Sequence, residues 1–376
     1  MNILVLSWRG VKHPNAGGAE VSTFEHARGW VKMGHRVTLF TSYFPNAKKE
    51  EISDGVEIKR YGRQMFGVQL EAFVWYLFKN HEKFDLVIDE FHGIPFFTPF
   101  YVRVKKMGFI HEVAKEVWML NPWPKPYNIF PAVIGTLFEP LIFKFYKKVP
   151  FMTVSDSTKK DLIAWGIPKS EITVVHNGVT IPKNLKEFDK EKELTLIFLG
   201  ALSKDKGIED ALAAFACVYT KNKNSKLWVV GKSDKEYLKK LKLLAEKLEI
   251  NDRVTFYDFV TEEKKFELLS RAHLLINTST REGWGLVVIE AAWMGTPTVG
   301  YNVPGLRDSI VDGKTGILCN PDPNSCAKDI LFLMKDNKKY QAFQVNSRKW
   351  AEGFSWKKSV QNSLKLIKKL SMVDQK

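Results

Sequence analysis

Short runs rich in Val, Ile, Leu and Phe recur along this chain, most of them followed by a turn and a longer segment with helical spacing. In the first half they fall at 3–7, 36–41, 56–60, 85–89, 106–111, 151–155 and 172–175. In the second they fall at 194–200, 226–230, 253–257 and 273–278, and again near Thr298 and Ile317. Strands that are apolar on both sides must be covered on both sides, and the segments 19–33, 207–220, 234–249, 261–270 and 286–294 supply the cover. This alternation predicts the α/β class, with parallel sheets between helices. A chain of 376 residues exceeds one typical core, so two doubly wound parallel-sheet domains are expected. Their expected limits are 1–183 and 184–354, connected by the polar, lysine-rich run from Pro182 to Glu193. The remainder, 355–376, carries Val360, Leu364 and Ile367 near helical spacing and reads as an amphipathic helix.

Hydrophobic residues make up 45% and charged residues 26%, the balance of a soluble globular protein. Cys217, Cys319 and Cys326 show no Cys-x-x-Cys pairing and read as packing residues in a reducing compartment. Ile3–Leu6 is strand-sized and is followed at once by Arg9 and Lys12, unlike a secretory signal, so a cytoplasmic location is expected. The net charge of +15 is spread evenly: residues 1–185 hold 24 basic and 17 acidic side chains, and 186–376 hold 33 and 25. An even spread without a recognisable motif argues against a nucleic-acid partner. It leaves an anionic membrane surface, or simply a solvated lysine-rich exterior.

The apolar stretch 127–146 bears on that choice. Pro131, Pro140, Glu139 and Lys144 interrupt it, which breaks a bilayer-spanning helix. It suits either a helix at the membrane interface, fringed by Trp118, Trp123, Tyr127 and Phe130 and anchored by Lys144, Lys147 and Lys148, or a buried helical hairpin.

Chemistry concentrates in Thr280-Arg281-Glu282-Gly283-Trp284-Gly285-Leu286-Val287-Val288-Ile289-Glu290-Ala291-Ala292. A short apolar strand precedes it, so the unit is strand, glycine loop, helix. Glycines let backbone approach a ligand, and the helix start offers N–H groups to a phosphate. Glu282 sits in the loop and Glu290 about two turns on, on the order of 12 Å along the axis if all eight steps are helical. That reach suits a ligand with polar ends and a diphosphate between them. Glu290 is set in an apolar run, where an unpaired carboxylate is costly.

Three further places qualify. Asn15-Ala16-Gly17-Gly18-Ala19-Glu20 follows the first strand, where an open parallel sheet binds ligands. It lacks the Gly-x-Gly-x-x-Gly pattern of nicotinamide binders. His111 ends a strand at its carboxyl side; a lone histidine there is either structural or a site residue. Phe198-Leu199-Gly200-Ala201-Leu202-Ser203-Lys204-Asp205-Lys206-Gly207 is a glycine-bounded loop with cations. An Asp-x-Asp metal-and-diphosphate motif is absent, and no His/Asp cluster replaces it.

Taken in order, Gly17-Gly18-Ala19-Glu20, Glu282-x7-Glu290, Gly295-Thr296-Pro297-Thr298-Val299-Gly300, Val303-Pro304-Gly305-Leu306, Asp312-Gly313-Lys314-Thr315-Gly316 and Phe354-Ser355-Trp356 resemble the retaining glycosyltransferases of family 4. Each piece alone is weak; the ordered set, running nearly end to end, is strong. The resemblance implies the GT-B architecture, two Rossmann-like domains facing each other across a cleft, with the last helix crossing back to the first. It implies transfer of a sugar from a nucleotide-diphosphate sugar to a hydroxyl of a glycan or lipid-linked glycan, with retained configuration. No metal and no other cofactor is expected.

By the same resemblance His111 touches the transferred sugar, Lys206 meets the leaving diphosphate and Glu282 binds sugar hydroxyls. Glu290 would take the ribose hydroxyls. The backbone of Gly283, Trp284, Gly285 and Leu286 would hold sugar or phosphates, while Gly17, Gly18 and Gly200 line the phosphate loops. The chain departs from the family pattern at Ala201, where arginine is usual, and at Gly231-Lys232-Ser233, where a second glycine is usual. Lys204 is placed to compensate. Acceptor and donor choice would fall to residues around Trp284, His92, Trp118 and Asn121-Pro122-Trp123-Pro124. Two other readings stay open: a nucleotide-sugar epimerase on the same fold, and a sugar or polyanion binder without turnover.

Overall fold

The computed structural model describes residues 1–64, 67–91, 93–121, 126–182, 185, 186 and 188–372. His92 and 122–124, expected to shape substrate choice, lie outside the described residues. The chain divides into two compact units, Met1–Gly178 with Ser355–Lys376, and Val179–Phe354.

In the first unit β1 (Asn2–Leu6), β2 (Arg36–Thr41), β3 (Glu50–Ser53), β4 (Val56–Arg60), β5 (Leu86–Phe91), β6 (Lys105–Ile110), β7 (Phe151–Thr153) and β8 (Ile172–Val174) form one sheet. Its order is β3-β4-β2-β1-β5-β6-β7-β8, parallel except for β3 against β4. That hairpin turns on Asp54-Gly55, both at positive φ, which matches the twist of the flanking strands. The strand order runs in opposite directions on either side of β1. Right-handed crossovers therefore put the helix Gly18–Lys32 on one face and Gly67–Phe78, Thr98–Tyr101 and Ile129–Phe145 on the other.

The last helix, Trp356–Met372, packs on Gly18–Lys32. Gly29 makes room for Val360 there, and His26 Nδ1 lies 3.0 Å from Ser363 Oγ. Burial holds His26 neutral, with its pKa pushed down to about 3. Ile129–Phe145 contains both Pro131 and Pro140 without ending at either. Pro131 falls in the first turn, where its missing N–H costs no helical bond. Neither a hairpin nor a span results: 127–146 gives one helix with an exposed apolar face. Among the described residues no helix is long and apolar enough to cross a membrane.

In the second unit β9 (Thr195–Leu199), β10 (Lys226–Val230), β11 (Val254–Tyr257), β12 (Leu274–Asn277), β13 (Thr298–Tyr301) and β14 (Gly316–Cys319) form an all-parallel sheet. Its order is β11-β10-β9-β12-β13-β14, the 3-2-1-4-5-6 arrangement of Rossmann-type sheets. Leu196, Ile197, Phe215, Leu227 and Leu275 fill its core. Described residues of the expected connector are docked on this unit. Phe188 N–H donates to Ser270 Oγ at 2.9 Å, and Lys190 Nζ donates to Ala272 O and Thr296 Oγ1, each at 2.7 Å.

Candidate active site

Where a parallel sheet reverses its strand order, the loops leaving adjacent strands diverge and open a crevice at the carboxyl ends. In the second unit that point lies between β9 and β12. The two loops concerned are 200–207 and 278–285, the glycine segments singled out above. They are stitched together. Gly207 has φ 69, and a Cβ there would collide with Thr278 O, while Thr278 Oγ1 donates to Gly207 O at 2.7 Å. Thr280 N–H donates to Asp205 O at 2.8 Å.

This stitching brings Lys206 and Glu282 together. Lys206 Nζ lies 2.9 Å from Glu282 Oε1, which also accepts from Ser279 Oγ at 2.8 Å. Both side chains remain partly open to solvent. The backbone behind Glu282 is fixed by the Val-Pro-Gly-Leu motif. Glu282 N–H donates to Pro304 O at 3.1 Å, and Gly305 passes so close that a Cβ would strike Glu282 O. Gly200 has open space around it, whereas a Cβ at Gly231 would hit Gly200 O. Ala201 and Lys204 are exposed on the same loop.

Gly285, at φ 77, opens the helix Leu286–Trp293. The Trp284 ring is buried against Phe354, with centroids 5.0 Å apart. Its backbone, rather than its ring, is therefore what the loop offers a ligand. One turn before the end of that helix, Glu290 has a partner that local sequence reasoning missed. Lys265 Nζ lies 2.8 Å from Glu290 Oε1 and also pairs with Glu262 at 2.8 Å. Burial raises the Glu290 pKa above the usual carboxylate range, and the Lys265 ammonium pulls it back. Nothing in the sequence distinguishes Lys265 from its neighbour Lys264.

The first unit holds His111 just beyond β6, almost fully buried. Its Nε2 lies 3.3 Å from Glu90 Oε1, which accepts from Thr23 Oγ1 at 2.7 Å. Glu90 ends in the interior at 0% exposure, and no motif marks it. Gly17 precedes the helix Gly18–Lys32, and its N–H donates to Glu20 Oε2 at 2.6 Å. The other oxygen of Glu20 accepts from Arg9 Nε at 2.9 Å. The helix start at Gly18 therefore already carries a carboxylate of its own. Among the described residues no group of three His, Cys, Asp or Glu is placed to hold a metal ion.

The model for the glycosyltransferase family 4 matches residues 16–181, and that for glycosyl transferases group 1 matches 181–350. A protein of Methanocaldococcus jannaschii named as an uncharacterized glycosyltransferase is 24% identical over 98% of this chain and 99% of its own. Several other relatives match over 33% to 60% of their own length. A sucrose-phosphate synthase from Thermosynechococcus elongatus superposes with a TM-score of 0.81 at 20% identity, covering 99% of this chain and 100% of that one. Anabaena HepE, solved with UDP-glucose, gives 0.72 at 18% identity over 98% and 100%. With sheets, glycine loops and family models in agreement, the chain belongs to the GT-B glycosyltransferases of group 1 and family 4.

Proposed function

We propose that this protein moves a sugar from a nucleotide-diphosphate donor to a hydroxyl of a glycan or lipid-linked glycan, with retained anomeric configuration and without a metal ion. The observation that carries the reading is the Lys206–Glu282 pair at the crevice between β9 and β12. An incoming diphosphate is more negative than one carboxylate and competes for the ammonium. Lys206 then stabilises the charge that grows on the leaving group. The N–H groups from Gly283 to Leu286, at a helix start, add to that field. Glu282, held by Ser279, accepts from the sugar hydroxyls, and Glu290 accepts from the ribose, kept ionised by Lys265.

His111 keeps its proposed contact with the transferred sugar. Glu90, beside it, is fully buried and turned to Thr23 and His111, which disfavours it as a covalent nucleophile. Front-face attack within an ion pair is the preferred route. The acceptor oxygen bonds to the anomeric carbon as the bond to the diphosphate breaks, and the acceptor proton passes to the departing phosphate oxygen. The domain limits read from the sequence, 1–183, 184–354 and 355–376, are proposed as acceptor domain, donor domain and closing helix. A cytoplasmic protein bound to the inner membrane face fits a lipid-linked acceptor.

The test is nucleotide release across a panel of nucleotide sugars, with UDP-glucose first because the Anabaena neighbour was solved with it. EDTA and a membrane lipid extract are the added variables. Release that needs one donor, survives EDTA and falls sharply in Glu282→Ala supports the reading; an inverted product anomer overturns retention. Conversion of donor without acceptor would favour an epimerase, and salt-sensitive binding without turnover a binder.

A further inference from the structure

Helices that cover a sheet ordinarily turn a polar side to water. Three consecutive helices on one face of the first unit do not. On Ile129–Phe145 the outward positions Phe130, Ile134, Leu137, Phe138 and Leu141 are 42–65% exposed, while Glu139, its one carboxylate, is buried. Phe145 carries the apolar surface onto Phe100, with ring centroids 5.0 Å apart. Beside Phe100, Tyr101 meets Phe73 of Gly67–Phe78 at 5.1 Å. That third helix exposes Leu70, Leu77 and Phe78, the last at 74%. Exposed apolar area of this extent on adjoining helices marks an interaction site. The sequence pattern pointed to 127–146 alone; the short helix Thr98–Tyr101 links the two long helices, through exposed Phe100 to Phe145 and through buried Tyr101 to Phe73.

We infer that this whole helical face docks on an anionic bilayer, with Gly67–Phe78 and Phe100 entering the interface beside Ile129–Phe145. The charge around the face selects the occupant. Lys144, Lys147 and Lys148 are exposed at one end of the long helix, Arg103 follows Thr98–Tyr101, and Lys79 follows Gly67–Phe78; Glu71 is the exposed carboxylate within these helices. A second copy of the chain would set these cations against each other, whereas anionic headgroups attract them. The 17-residue helix is roughly 25 Å long, suited to lying in the interface plane.

The docking helix also holds the segment that follows His111. The Glu139 carboxylate accepts from Ala114 N–H at 2.7 Å, Lys115 N–H at 3.0 Å and Trp118 Nε1–H at 2.8 Å. An acceptor reaching that segment from the bilayer is an amphiphile with its sugar or hydroxyl at the headgroup level. This last step deepens the proposed transferase reading and rests on it; the docking does not.

The experiment is co-sedimentation of the donor-free protein with phosphatidylcholine vesicles, with and without phosphatidylglycerol. Wild type is expected to bind the anionic vesicles. Phe138→Glu and Phe78→Glu should each lower the partition constant about tenfold or more, and Lys144→Glu/Lys147→Glu/Lys148→Glu should remove the preference for anionic lipid. Phe78→Ser, checked by melting curves, guards against misfolding. Loss at Phe138 with no change at Phe78 would overturn the extended face. Absence of vesicle binding, with a dimer by light scattering that Phe138→Glu splits, would show that a second copy covers the face and overturn the bilayer. Because no donor is present, failure here is distinct from failure of nucleotide release.

Discussion

Lys265 Nζ lies 2.8 Å from Glu290 Oε1, across 25 positions of sequence. Burial raises the Glu290 pKa, and the Lys265 ammonium opposes that rise. With Glu290 on the ribose hydroxyls as proposed, Lys265→Met should raise the donor KM about tenfold, equivalent to about 1.4 kcal/mol, with little change in kcat, since that contact lies away from the reacting bond. The loss should deepen as pH falls, because the proposed ribose contact needs the ionised form. Stability runs the other way: a carboxylate whose folded pKa is raised contributes stability at low pH that is lost as pH rises through that value. A kcat fall at constant KM would contradict this assignment.

Lys206→Ala should lower kcat about 10²- to 10³-fold, the usual loss for one preorganised charge-stabilising donor. Lys206→Arg should restore part of it. Neither change should move Tm appreciably, because a partly exposed ion pair contributes about 0–1 kcal/mol. Steady-state kinetics beside calorimetry decides; a large Tm drop would assign Lys206 a structural role.

Ala201 is exposed beside the open space at Gly200, so a longer cation can be added without displacing anything there. Ala201→Arg should tighten binding of the nucleoside diphosphate several-fold, read by titration calorimetry. Weaker binding would mean that Lys204 already fills the position.

A Cβ on Gly29 would collide with both methyl groups of Val360. Gly29→Ala should cost about 1–3 kcal/mol by overpacking and expose Trp356–Met372 to proteolysis. Val360→Ala, destabilising alone, should recover much of that loss when combined with it. Additive costs in the double mutant would remove the packing explanation.

Burial lowers the Lys190 pKa from 10.5 to about 7. Between those values the unfolded chain holds a proton that the folded protein has released. Stability contributed by this group should rise with pH across that window and stay flat below it, with a slope of up to about 1.4 kcal/mol per pH unit. In denaturant curves, the stability of wild type relative to Lys190→Met should increase as pH rises from 7 to 10. A constant difference would place the ammonium in a solvated site.

The strands were legible because a buried parallel strand leaves a local signature, and the runs at 36–41, 56–60 and 226–230 match β2, β4 and β10 residue for residue. Gly285 and Gly207 were legible for a similar reason, since their positive φ is a local demand. The edge strand β3 was passed over although Asp54-Gly55 is a strong hairpin signal. The helices Pro323–Lys335 and Asn337–Ala351 were also missed.

By itself the sequence determined which segments become strand, loop and helix, and which family of motifs they carry, because neighbours along the chain decide backbone conformation and face. Only the tertiary structure decided which side chains meet. Glu290 gained Lys265, Lys206 closed on Glu282, Glu90 turned to His111, and Phe100 with Tyr101 linked two apolar helices. Each of these depends on strand order and crossover hand, which bring distant residues together and leave no periodic trace in the chain.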